Sequence, residues 1–211
     1  MTSVARKKIG IQDASIAEIE DLERWQILAG IGPGSALGED LAEAKESGVL
    51  SHALRGGIKH ARSINQYANM FDSLCARTLV LSARSGAKTV GLLLLGPPPA
   101  LLQRGPQFNG QNAAFLFHVA KLGVLAVDPT VHGTGIGSRL VRVGTDIARQ
   151  SGYLVLYGEF HADRPALPTF YERCGFEVLE TDQALNLTEV MGFPTLIKPT
   201  GSDRLFVTGL T

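Results

Sequence analysis

Apolar positions along the chain switch between alternating and helical spacing, and the switches mark out its elements. "KKIGIQ", residues 7–12, has the short alternation of a first strand. "DASIAEIEDLERWQIL", 13–28, spaces Ile16, Ile19 and Leu22 as one face of a helix, and Ser15 followed by Glu18 predicts a capping box at its start. "GIGPGSALGED", 30–40, is too rich in glycine to prolong that helix. Helical stretches follow at 38–47 and 51–76, the second interrupted by Gly56 and Gly57.

"RTLVLSARSGAKTVGLLLLG", 77–96, joins two apolar runs around Ser85-Gly86 and predicts a hairpin. The proline- and glycine-punctuated "PPPALLQRGPQFNGQNA", 97–113, reads as an extended loop, and "AFLFHVAKLGVLAV", 114–127, as one long strand in which Gly123 marks a bulge. "SRLVRVGTDIARQSG", 138–152, puts Leu140, Val143 and Ile147 on one helical face and stops at Gly152. A strand "YLVLYGEF", 153–160, a short helix "PALPTFYERCGF", 165–176, and strands at 177–182, 193–199 and 204–210 complete the order. The alternation of strands and helices, with no repeat and no linker, predicts one α/β (α+β) domain over residues 1–211.

Twenty basic residues balance twenty acidic ones, so bulk charge gives no signal for nucleic acid or an anionic membrane. Two cysteines, Cys75 and Cys174, supply neither a disulfide framework nor a metal quartet. No signal-peptide stretch follows the basic start, and "VGLLLLGPPPALL" is broken by prolines before it reaches membrane-spanning length. The expectation is a soluble protein of the reducing cytoplasm, without a metal and with its oligomeric state, a homodimer included, left open.

The densest chemical signal is "VDPTVHGTGIGSRLV", 127–141, where Gly133, Gly135 and Gly137 stand between a strand and a helix. Such a loop bares the unpaired N–H groups of a helix N-terminus, and without Cβ atoms it lets phosphate oxygens approach them. The lysine of a P-loop is missing, and the spacing G-x-G-x-G, displaced from its strand by "DPTVH", is not the dinucleotide fingerprint G-x-G-x-x-G. A tight turn that binds nothing is the plain alternative.

"LAVDPTVHGTGIGSRLV" resembles the acetyl-CoA pyrophosphate loop of the GCN5-related N-acetyltransferases, Gln/Arg-x-x-Gly-x-Gly/Ala, with His132 where glutamine or arginine is usual. "LPTFYERCGFEVL", 167–179, resembles that family's A-x-x-x-Y-x-x-x-G-F segment, and the element order is concordant along nearly the whole chain. The resemblance implies a central mixed, mostly antiparallel sheet, splayed between its fourth and fifth strands, with helices on both faces. It further implies acetyl-CoA as acyl donor. Main-chain groups of Leu125, Ala126 and Val127 would meet the pantetheine arm, and His132, Gly133, Thr134, Gly135, Ile136, Gly137 and Ser138 would wrap the pyrophosphate.

By the same resemblance Tyr171 is the general acid toward the departing sulfur, a role that suits a phenol of unperturbed pKa ~10. A core tyrosine is the structural alternative. The base is less determined: Lys121 occupies the position of the family's glutamate, which leaves Glu159, His118, His161 or water, with Glu159 preferred at the end of the strand after the loop helix. Cys174 reads as a packing residue. The implied activity is N-acetyl transfer to a primary amine of a small molecule or protein, directly in a ternary complex. A toxin-like acetyltransferase of aminoacyl-tRNA and a non-catalytic acyl-CoA-binding regulatory domain are the alternatives.

Overall fold

The hairpin predicted around Ser85-Gly86 is where the sheet is anchored. In the computed structural model, which describes residues 9–33, 36–54, 69–98 and 110–211, Leu79–Ser85 (β2) and Lys88–Gly96 (β3) pair antiparallel through a turn with Gly86 at φ +63°. Ile9–Asp13 (β1) covers the outer edge of β2, and Val119–Val127 (β4) lies antiparallel on β3. Val155–His161 (β5), Glu177–Val178 (β6) and Asp203–Gly209 (β9) complete a seven-stranded sheet of order β1-β2-β3-β4-β5-β9-β6, in which only β4 and β5 run parallel. A separate ribbon joins Leu185–Asn186 (β7) to Leu196–Ile197 (β8).

Helices cover both faces. Ile16–Glu20 (α1), Leu22–Ala29 (α2) and Leu37–Glu46 (α3) bury Ile19, Leu22, Trp25 and Leu41 against Val80, Leu92, Leu94, Val124 and Ala126. Met70–Ala76 (α4) follows on that side, with Asn69 accepting the Asp72 N–H as its N-cap. Ile136–Gln150 (α6) lies on the opposite face with Leu167–Arg173 (α7), where Leu140, Val141 and Tyr171 meet Leu81, Leu93, Leu95 and Phe206. Gly110–His118 (α5) and Thr188–Met191 (α8) close the far half of the first face.

Several expectations change. The helix over 13–28 is two, α1 and α2, hinged at Asp21; the Glu18 carboxylate accepts the Ser15 N–H at 2.7 Å, as its capping role requires. Of the helix over 51–76, Ser51–Leu54 is a turn and α4 holds the end; residues 55–68, with Gly56 and Gly57, lie outside the described residues, as do 99–109 of the proline-rich loop.

The long strand over 114–127 is a correction: α5 runs to His118, and β4 begins only at Val119. An apolar run buried against other elements has no period that separates strand from helix. Phe115 and Leu116 are buried with Met191, Leu187 and Ile197, and Phe115 meets the Phe193 ring edge-on at 5.9 Å. Of the strand over 193–199 only β8 forms, and β7 and α8 carried no signal.

Gly123 does mark a bulge. Leu94 pairs with Val124 and Leu95 with Leu122, leaving Gly123 unmatched, and its missing Cβ leaves room for Leu94 Cδ2, 3.1 Å from where it would stand. The bulge reverses the side-chain parity of β4: Leu122 faces α6, whereas Val124 and Ala126 face α1–α3.

Arg77 is a buried charge with no acidic partner among the described residues. Arg77, 0 % exposed, donates to the carbonyls of Ser151 at 3.0 Å, Phe117 at 3.1 Å, Leu116 at 3.4 Å and Ala53 at 3.5 Å, and its guanidinium lies 4.1 Å from the Tyr153 ring centroid. Tyr153 Oη donates back to the Arg77 carbonyl at 2.8 Å. Burial pushes the Tyr153 phenol up to about 12. One side chain thus ties together the ends of α4, α5 and α6.

Candidate active site

The parallel pairing of β4 with β5 runs only from Val119 opposite Val155 to Leu122 opposite Gly158. Beyond it β4 continues to Val127 along β3, and β5 continues to His161 along β9. The sheet is therefore split, and the β5-facing edge of β4 from Gly123 onward has no strand partner among the described residues. An extended ligand with amide groups can pair with such an edge.

At the end of β4 the chain is locked turn by turn. Asp128 accepts the Thr130 N–H at 3.0 Å and its hydroxyl at 2.6 Å, capping a single 3₁₀ turn, and takes Lys88 Nζ at 2.8 Å. The Lys88 ammonium, then the two Thr130 donors, hold its carboxyl well below the usual carboxylate range. His132 Nε2 lies 2.8 Å from the Val127 carbonyl and Thr134 Oγ1 donates to the Val131 carbonyl at 2.7 Å. So the side chain of His132 braces the loop it stands in through a ring N–H.

Gly133 and Gly135 then adopt φ +74° and +80°, the left-handed region that favours glycine, with nothing within 4 Å of where a Cβ would be. The result is an open concavity on the fifteen-residue α6, whose first N–H groups have no helical partner. A Cβ at either glycine would fill that concavity. These features fit a pyrophosphate, and the helix dipole adds to the attraction.

One cavity of about 1510 Å³ runs from this loop along the opened β4 edge to α2 and α4. Leu125, Ala126, Val127, His132, Gly133, Gly135, Ile136, Gly137 and Ser138 all border it, as do Tyr171 and Glu159. Thr134 is not on its wall, and Ile136 is only 2 % exposed, packed under β3.

Tyr171 is at once a core residue and a wall of the cavity. It is 5 % exposed, with its ring stacked on Phe206 at 3.7 Å and on Phe160 at 5.7 Å. Phe206 reaches that position because residue 158 is glycine: a Cβ there would stand 2.3 Å from Phe206 Cζ. Burial, and then the neighbouring Cys174, raise the Tyr171 phenol so that it stays protonated. Burial also raises the Cys174 thiol, as expected of a packing residue.

Lys121 pairs with Glu159. The register sets Lys121 opposite Tyr157, and Glu159, two residues further, shares its face of the sheet. The ammonium bonds to Glu159 Oε1, and the Thr200 hydroxyl donates to Oε2 at 3.1 Å. Burial alone would raise the carboxyl, but Lys121 and Thr200 together bring it below its ordinary 4.5. The folded pKa is depressed, so the pair stabilises the protein above pH ~4.5 and that contribution is lost on acidification. Lys121→Met is expected to raise the pKa of the carboxyl in a carbon-detected NMR titration; an unchanged midpoint would show that Lys121 does not govern it.

His161 borders the cavity and His118 does not. His161 Nδ1 lies 2.7 Å from Asp203 Oδ1 and Nε2 3.0 Å from the Gly30 carbonyl, two acceptors that only the imidazolium satisfies together. The Gly30 carbonyl and then Asp203 raise its pKa accordingly. His118 ends α5 away from the cavity wall, its pKa lowered by burial and by Arg77. Among the described residues no group of His, Cys, Asp and Glu could hold a metal ion, and no helix is long and apolar enough to cross a membrane. The wall contributed by α2 and α4, and the Gly30–His161–Asp203 contact, had no local sequence signal.

A family model described as an acetyltransferase (GNAT) domain matches residues 103–178, the stretch that contains β4, the glycine loop, α6 and α7. An Escherichia coli (strain K12) protein described as the uncharacterized N-acetyltransferase YjhQ is 32% identical over 117 residues, covering 55% of this chain and 56% of its own. The match therefore spans little more than half the length of that relative. Among solved structures, Salmonella typhimurium yncA with its cofactor acetyl-CoA superimposes with a TM-score of 0.58 at 16% identity, over 97% of this chain and 95% of its own. The chain has the GNAT fold, and its residues 103–178 resemble the GNAT acetyltransferase domain. The Thermoplasma acidophilum paia N-acetyltransferase in complex with coenzyme A shares the GNAT fold with it at a TM-score of 0.50 and 21% identity, over 96% and 99% of the two chains. The mostly antiparallel sheet with its single parallel pair is the GNAT architecture expected from the sequence.

Proposed function

We propose that this chain of GNAT fold is an acetyl-CoA-dependent N-acetyltransferase acting on a primary amine by direct transfer in a ternary complex. The observation that carries the reading is continuity. One cavity joins the glycine concavity of α6, the unpaired edge of β4 and two groups able to handle protons, Tyr171 and Glu159. The like-folded proteins solved with coenzyme A and acetyl-CoA support that donor.

Acetyl-CoA supplies an acyl group activated as a thioester. The loop from His132 to Ser138 would hold its pyrophosphate, and the main chain of Leu125, Ala126 and Val127 would align its amide-bearing arm. A β4 N–H aimed at the thioester carbonyl would stabilise the negative charge that develops on oxygen. Glu159, an anion at neutral pH, receives the proton that the amine must lose, directly or through a water. Tyr171 delivers a proton to the departing sulfur.

Tyr171→Phe tests the reading. A thiolate is a fair leaving group without protonation, so the loss in kcat is expected at about tenfold, with acetyl-CoA affinity unchanged. The engagement of Glu159 by both Lys121 and Thr200 favours a second reading, a non-catalytic acyl-CoA-binding domain. That domain would bind acetyl-CoA and release no thiol, with or without Tyr171.

A further inference from the structure

The cavity is larger than the ~300–1,000 Å³ usual for one small-molecule site, and it changes character along its length. One end is the glycine loop. The other is walled by Leu28 and Ile31 at the C-terminal end of α2 and by Phe71 and Leu74 of α4. Leu28, Ile31 and Phe71 are 38%, 40% and 41% exposed, three of the five large hydrophobics with such exposure among the described residues, and all three line this cavity. Large apolar side chains left in water and gathered in one cleft mark a binding surface.

The two ends meet where acyl transfer would occur. The Gly30 carbonyl at the end of α2 contacts His161, the last residue of β5. Thr78, just after α4, packs on Gly96, which pairs with Lys121 across β3 and β4. The apolar walls therefore stand over the Lys121–Glu159 pair at the mouth of the split.

Charge narrows the choice of occupant. Among the described lining residues the carboxylates are Glu159 and Asp203, and each already holds a cation, Lys121 and His161. Arg164, beside Gly30 on the same rim, is itself paired with the exposed Asp163 at 3.8 Å. Nothing here attracts a second or third ammonium group. A polyamine or a lysine-rich peptide would bring charges that this end cannot pair, whereas an apolar body would displace water from Leu28, Ile31 and Phe71.

We infer that the acceptor is a monoamine with an apolar, arylalkyl or alkyl body, seated between α2 and α4 with its amine at Glu159. The inference rests on the proposed acetyltransferase reading. It makes Ile31 and Phe71 specificity-determining residues.

The test measures thiol release by the full chain with acetyl-CoA and either 2-phenylethylamine, octylamine or spermidine. The two monoamines are expected to exceed spermidine in kcat/KM by about tenfold or more, and Phe71→Asp and Ile31→Asp to raise the monoamine KM by about tenfold. Acetyl-CoA affinity, measured by calorimetry, is expected to stay unchanged in both variants. Preference for spermidine overturns the acceptor class and leaves the transferase reading standing, as does an unchanged monoamine KM in both variants. Acetyl-CoA binding without transfer to any of the three overturns the acceptor class and favours the non-catalytic reading; failure to bind acetyl-CoA overturns the transferase reading itself. A change in sedimentation of the variants with KM unaltered would assign the patch to self-association and likewise overturn the inference.

Discussion

Arg77→Ala is expected to cost about 3–5 kcal/mol of folding stability, a third or more of what a typical domain has. The substitution leaves the carbonyls of Ala53, Leu116, Phe117 and Ser151 without this donor in a region sealed from solvent, and opens a cavity against the Tyr153 ring. Arg77→Lys is expected to recover only part of the loss, because an ammonium cannot span four carbonyls spread over two helix ends and a turn. Urea denaturation of the three proteins is the measurement. A loss below about 1 kcal/mol for the alanine variant would mean that water or a rearranged backbone satisfies those carbonyls. Arg77 lies outside the cavity wall, so the folded fraction of either variant is expected to bind acetyl-CoA normally.

Gly135→Val is expected to lower acetyl-CoA affinity by a few hundredfold or more, with a stability loss of only about 1–2 kcal/mol. The valine side chain would project into the concavity where nothing stands within 4 Å, and its reluctance to hold φ +80° would turn the first N–H groups of α6 away from the ligand. Gly48→Val is the control. Gly48 has φ +75° and the same empty surroundings, but it follows α3 outside the cavity, so it is expected to show the strain without the binding loss. Calorimetric titration with acetyl-CoA decides; equal affinities for the two variants would sink the assignment of this loop.

The site was legible in the sequence where it depends on neighbours along the chain. Glycines at 133 and 135 could be read as a bare strand-to-helix turn because positive φ is a property of the residue itself. Gly123 could be read as a bulge because a glycine within a strand has few other uses. His132 was visible as a departure from the family pattern, but its bond to the Val127 carbonyl, five residues back, needed the turn between them to be built. The preference for Glu159 rested on its place at a strand end; nothing along the chain indicated that Lys121, 38 residues earlier, holds it.

The same division applies to the elements. The hairpin, α6 and α7 carry their own turn, cap and periodicity signals, whereas 110–118 became helix through burial against α8 and Phe193, which no local pattern records. By itself, then, the sequence determined the backbone chemistry of this protein: a strand, a bulge, a glycine turn and a helix, in that order. Only the tertiary structure decided which side chains confront one another across the split. The pairing of Lys121 with Glu159, the clasp of His161 between Gly30 and Asp203, and the apolar wall of α2 and α4 each join segments far apart in the chain. Backbone conformation is set by each residue's own sterics and its neighbours, but side-chain encounters are set by strand register and helix docking, which depend on the whole core at once.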